Sequence, residues 1–159
     1  MHSSIRTARL LAAILLLTAP LGACEALLGK EIARLPVNTV STPQQEVVKE
    51  TTVNLHQNDQ LALWSEMDME YQGEAPLRFQ VVVLQNGQPF KQLELDPTEK
   101  NVSVQEAKTD INGRVSWSFS GKNAELTIPK DAAYTFKARL IAAPNPTLRL
   151  HKAELVLKK

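Results

Sequence analysis

A single antiparallel β-sandwich of about eight or nine strands, an all-β fold, is what this chain of 159 residues predicts. Three observations carry that expectation. Apolar residues alternate with polar ones from Val47 onward, the period of a half-buried strand. Gly, Pro, Asn and Asp turns recur at short, regular spacing. No segment holds a helical period over three turns. A closed barrel is the second architecture such a pattern allows.

The chain opens with Arg6 and Arg9, no acidic residue before Glu25, and an apolar run over 10–17. A basic start, a short apolar core and small residues after it make a secretory signal. The run falls far short of the roughly 20 residues of a membrane-spanning helix. Leu21-Gly22-Ala23-Cys24 follows directly and holds the only cysteine. This tetrapeptide resembles the lipobox of bacterial lipoproteins. The resemblance implies that residues 1–23 are removed and that Cys24 carries a diacylglyceryl group and an N-acyl chain. It implies a protein exported and held on a membrane. Glu25 stands where Asp would mark inner-membrane retention, which favours the outer membrane in a host with two membranes.

Without Arg6 and Arg9, 16 basic side chains face 17 acidic ones, a net charge of −1. Nucleic acid as a partner would call for a clear basic face. With Cys24 lipidated, no thiol remains for a disulfide or a thiolate zinc site.

Residues 24–45 read as a tether, punctuated by Gly29, Pro36 and Pro43. About twenty flexible residues reach roughly 25 Å. The sandwich is then expected over 46–159.

Its strands follow in order. Val47, Thr51, Val53 and Leu55 share a face, and Asn58-Asp59 turns the chain. Over 60–72, Leu61, Leu63, Met67, Met69 and Tyr71 point one way, with a break expected near Ser65. Trp64, Glu66, Asp68 and Glu70 point the other. Leu77–Leu84 is the most apolar run and belongs mid-sheet. Asn86-Gly87 and Asn112-Gly113 are strong hairpin signals. A strand over 102–107 precedes the second, and Val115, Trp117 and Phe119 face inward after it. A further turn is expected at 120–123. Tyr134–Ala142 is the penultimate strand. The last slips phase between Leu150 and Ala153, which a bulge near His151-Lys152 reconciles.

The Thr109–Val115 segment is similar to the strand-turn-strand of bacterial immunoglobulin-like repeats. Ile128–Phe136 resembles the closing hairpin of jelly-roll domains. Both imply architecture, immunoglobulin-like or jelly-roll-like, and no activity.

Catalysis finds little support. There is no Gly-x-Ser-x-Gly turn, and after Cys24 only His56 and His151 could act as a base. The acidic row Glu66, Asp68, Glu70, with Glu74 beyond it, spaces its carboxylates roughly 6.5–7 Å apart along one face. That is too wide for a calcium ion without help from a loop. It is also the wrong geometry for two opposed carboxylates in glycoside hydrolysis. No cofactor is expected beyond the lipid. Trp64 beside these carboxylates is a candidate platform for a sugar ring or a protein partner. Rotation at Ser65 would instead bury it. The leading expectation is a non-catalytic, lipid-anchored sandwich binding a partner protein in an envelope assembly; the alternative is a displayed carbohydrate-binding module.

Overall fold

A computed structural model describes residues 28–159; the stretch read above as signal segment, lipobox-like tetrapeptide and cleavage site, with Cys24, lies outside the described residues. Among the described residues, nine strands form two antiparallel sheets packed face to face. The five-stranded sheet runs β1 (Glu31–Pro36), β9 (Arg149–Lys158), β3 (Gln60–Gln72), β7 (Arg114–Thr127), β6 (Val102–Ile111). The four-stranded sheet runs β2 (Lys49–Leu55), β8 (Ala132–Ala142), β4 (Leu77–Gln85), β5 (Gln88–Leu95).

Strand alternation builds the core. Leu61, Leu63, Met67 and Met69 of β3 meet Phe79, Val81 and Val83 of β4 and Tyr134, Phe136 and Leu140 of β8, all at 2% exposure or less. β4 lies between β8 and β5, as its apolar run predicts. Both Asn-Gly pairs have positive φ at both residues, 49° and 81° at Asn86-Gly87 and 54° and 78° at Asn112-Gly113. These are the two-residue loops whose twist matches that of the strands they join. The β9 bulge is present: Asp68 pairs with Lys152 and Met69 with Leu150, leaving His151 as the extra residue.

Three expectations are corrected. Residues 31–36, read as tether, form β1, with Arg34 opposite Val156 and Leu35 opposite Leu155 on β9. Leu35 and Val37 are buried in the core, so the sandwich begins well before residue 46. Pro36 fits because β1 is an edge strand and the proline stands at its end. The turn expected at 120–123 is absent; β7 runs unbroken from Arg114 to Thr127. β3 is likewise continuous through Ser65. The irregularity lies across from it: Leu63 pairs with Ala124 and Trp64 with Lys122, so Asn123 is the bulged residue.

That bulge has work to do. Asn123 Nδ2 donates to the carbonyls of Asp96 and Glu99, both at 2.9 Å, and its Oδ1 accepts from buried Ser65 at 2.7 Å. The β5–β6 loop is thereby fastened along the side of the sandwich bounded by the edge strands β6 and β5. β1 and β2 close the opposite side.

Candidate functional site

The outer face of the five-stranded sheet holds every candidate residue on β3. Glu66, Asp68 and Glu70 alternate with core residues and point outward as expected. Their partners are supplied by β9 and β1. Glu66 lies directly opposite Glu154, a repulsive pairing by itself. Arg34 resolves it: its guanidinium donates to Glu66 at 2.7 and 3.1 Å, to Glu31 at 2.6 and 2.9 Å, and to Glu154. Bonding to Glu31 and Glu66 raises the Arg34 pKa, keeping it protonated throughout the working range. The same bonds from Arg34 hold the Glu31 and Glu66 carboxyls below their ordinary value, against the opposing effect of burial.

Further along the row, Asp68 faces Lys152, and Glu70 faces Arg149 with His151 Nε2 3.6 Å away. Glu74 stands apart in the β3–β4 turn, where its carbonyl accepts from Asn145 Nδ2 at 2.9 Å. A trough of about 200 Å³ runs beside the row, lined by Glu66, Asp68, Gln105, Ser118, Ser120 and Lys152. Among the described residues, no group of three His, Cys, Asp or Glu side chains is arranged to hold a metal ion.

Trp64 corrects both readings of the sequence. It keeps the phase of the acidic row and stays outside the core cluster, so no rotation at Ser65 occurs. Yet it is only 2% exposed. Lys158 lies over its ring, 4.1 Å from the centroid, and Leu28, Gly29, Val102 and Lys122 line the same cavity. Parity put Trp64 on the outer face, and neighbours from three other strands and the N-terminal segment then covered it. A sugar ring cannot stack on it, so the glycan-binding alternative loses its aromatic platform.

Trp117 does face inward beside Phe119, with ring centroids 4.9 Å apart, but it is only half-buried. Its Nε1 donates to Glu106 at 2.8 Å, while Lys100 and Lys108 sit 4.8 and 4.0 Å from its ring centroid. Lys100 and Ser103 also bind Glu106, and these bonds lower its pKa to about 2. The Lys100 stem crosses Gly121 so closely that a Cβ there would stand 2.4 Å from its Cδ. This cluster lies along the side of the sandwich between β5 and β6, with Glu106 and Lys108 exposed at its surface.

The two histidines of the described residues lie far apart in the fold, His56 in the β2–β3 loop and His151 in the β9 bulge. The hydroxyls of Ser41, Ser65 and Ser103 are engaged with Val47, Asn123 and Glu106. No serine–histidine pair forms among the described residues.

Two residues that matter here escaped the sequence reading. Arg34 falls in the stretch that reads as a tether, though a lone Arg between Ala33 and Leu35 has the phase of a strand's outer face. Lys158 was one of several basic residues at the end of the chain. The edge strand β6 is the remaining feature: nearly all of it is exposed, Ile111 at 69%, and it pairs only with β7. The chain matches no protein-family model and no curated protein sequence, so its own residues and geometry carry the functional reading.

Proposed function

We propose that this protein is a lipid-anchored envelope lipoprotein whose non-catalytic β-sandwich binds a partner protein along the free edge of β6. The anchor rests on Leu21-Gly22-Ala23-Cys24 following a secretory signal, with outer-membrane placement favoured by Glu25. The partner-binding reading rests on one observation, the ten-residue exposed edge of β6. Ile111 and Arg114 flank the two-residue loop and form the hydrogen-bonded pair that closes it. Pairs alternate from there, so the backbone groups of Asp110 and Lys108 face away from β7. An extended segment of a partner can add to such an edge as a further strand. The bulge between Val104 and Ala107, with Gln105 at φ 53°, limits that strand to the half of β6 nearest the hairpin.

Two experiments test the two halves. Cys24→Ser in the full-length protein is expected to abolish incorporation of labelled palmitate and membrane retention; retention without label refutes the anchor. A photo-crosslinking residue at Ile111 in the native envelope is expected to give a discrete protein adduct, whereas one at Gln92 on β5 gives none. Equal or absent adducts refute β6 as the binding edge.

A further inference from the structure

The half of β6 nearest the hairpin reads Ala107-Lys108-Thr109-Asp110-Ile111, and every one of these residues is exposed. Ile111, at 69%, is the most exposed large apolar side chain among the described residues. The order is self-complementary. Lys108 and Asp110, of opposite charge, stand one residue to either side of Thr109, and Ala107 and Ile111 stand two to either side. Lys108 and Asp110 lie opposite Trp117 and Val115 of β7 and share one face of the sheet. Ala107, Thr109 and Ile111, opposite Ser118, Ser116 and Arg114, share the other. Neither charge has an ion-pair partner among the described residues. Asp110 Oδ1 accepts from the Gly113 N–H at 3.0 Å, and Lys108 Nζ lies 4.0 Å from the Trp117 ring centroid on an exposed stem that is able to turn.

We infer that the partner at this edge is a second copy of the chain, paired antiparallel with the first about a two-fold axis through Thr109. The inference rests on the reading of β6 as a binding edge given above. A two-fold contact sets residue i against j and j against i. The backbone groups of Lys108 and Asp110 are those directed away from β7, so two such edges exchange N–H···O bonds only where these residues oppose one another. Centring on Lys108 or on Asp110 would oppose like charges, which is unfavourable. Centring on Thr109 sets Lys108 against Asp110 twice, Thr109 against Thr109, and Ile111 against Ala107, which covers exposed Ile111. Charges on an edge strand ordinarily discourage edge-to-edge pairing. Here they discourage the two neighbouring registers and favour the one between. The bulge between Val104 and Ala107 ends the ladder on one side and the Asn112-Gly113 loop ends it on the other. Five residues a side bury less than the roughly 1,200 Å² of a standard interface, so the dimer is weak in solution and gains where a membrane concentrates the chain. The axis is perpendicular to the sheet, which places the two Leu28 ends, each beside Val102 at the start of β6, at opposite ends of the pair. With that axis along the bilayer normal, both ends meet the same membrane.

All nine strands and the core between them lie within residues 31–158, so a chain starting at Glu25 contains the whole sandwich and no cysteine. In that chain Thr109→Cys should form a disulfide-linked dimer under mild oxidation. Opposed residues of a non-hydrogen-bonded pair have Cα atoms about 4.5 Å apart, within the range a disulfide spans. Ile111→Cys should stay monomeric despite its exposure, because in this register the two Ile111 positions lie about 14 Å apart along the strands. Gln92→Cys on β5 should stay monomeric as well. Trapping reports even a weak dimer, so its rate serves as the measure of association. Lys108→Asp and Asp110→Lys should each slow it about ten-fold, since both symmetry-related pairs turn repulsive, and combining the two should restore it. An added lysine beside a thiol would by itself speed the reaction, so slowing by Asp110→Lys reports the pairing. Circular dichroism of each variant checks that the fold is kept. No disulfide at Thr109, equal trapping at Thr109 and Ile111, or no recovery in the charge-swapped double variant overturns the proposal. The envelope photo-crosslink at Ile111 separates it from the reading on which it rests. An adduct of twice the chain's mass agrees with the dimer. An adduct with a different protein, without a Thr109 disulfide, overturns the second copy and leaves the β6 edge standing.

Discussion

Arg34 on β1 reaches over β9 to bind Glu66 on β3, with Nη1 2.7 Å from Oε2. The contact joins two strands that do not pair with each other, and beneath it lies the opposed pair Glu66 and Glu154. One cation therefore makes the acidic row compatible with the adjoining strand.

Removing that cation should destabilise more than an exposed ion pair would. Arg34→Met leaves two partly buried carboxylates opposite each other with only Lys152, 3.5 Å from Glu66, nearby. Hydrogen bonds to charged groups contribute about 1.5–3 kcal/mol, and a loss of about 2 kcal/mol is expected in urea denaturation at pH 7. Adding Glu154→Gln to Arg34→Met should recover part of it by removing the repulsion. A fully additive double mutant would show that Arg34 acts through its other contacts.

Stability should fall in acid. Glu31, Glu66 and Glu106 all have folded pKa values below the ordinary 4.5, Glu106 at about 2. The unfolded chain therefore takes up protons first as pH drops. The urea midpoint should be flat from neutral pH down to about 5.5, then decline through 4.5 and on toward 2. Glu106→Gln should flatten the lowest part of that decline, toward pH 2, where Glu106 titrates. A midpoint unchanged between pH 7 and pH 3 would contradict the bonding described around Arg34 and Glu106.

Gly121→Ala should disturb the cluster beneath the β5–β6 loop. A methyl there meets the Lys100 stem, whose Nζ is fixed to Glu106 at 2.7 Å and lies over Phe119. Overpacking of this kind costs about 1 kcal/mol or more, and Trp117 emission should change as Lys100 leaves its ring. Lys100→Ala in the same chain should accommodate the methyl. A thermal-melt double-mutant cycle with no coupling between the two would refute the contact.

Deleting the chain through Pro36 separates a tether from a strand. A tether can be lost without effect on the domain. Loss of β1 takes away buried Leu35, the Arg34 network and the cover over the β9 edge. Truncating one buried leucine alone costs about 2–5 kcal/mol, so the shortened chain should unfold at much lower urea or aggregate. A chain starting at Leu28 should match one starting at Glu25 in the same assay.

Much of the fold was legible in the residues. Two-residue alternation placed the inward side chains of β3, β4 and β8, because strand parity is a local property. Asn86-Gly87 and Asn112-Gly113 marked their hairpins because few residue pairs accept positive φ twice. The slip between Leu150 and Ala153 located the β9 bulge, since only an extra residue can restore phase. β1 was missed because six residues flanked by Gly29 and ending in Pro36 give too short a pattern to distinguish an edge strand from a linker. The bulge at Asn123 was read as a turn, for a Gly-Lys-Asn run suits either, and the choice depends on the loop carbonyls that Asn123 binds.

The sequence by itself determined an all-β chain, its main hairpins and the outward phase of Trp64, Glu66, Asp68 and Glu70. Only the tertiary structure decided what covers that outward face. Lys158, Lys122 and Val102 come from β9, β7 and β6, and Arg34 from β1, so their meeting over β3 depends on strand order rather than on spacing along the chain. Alternation specifies which side of a sheet a residue takes, whereas burial and pairing depend on which strands lie beside it.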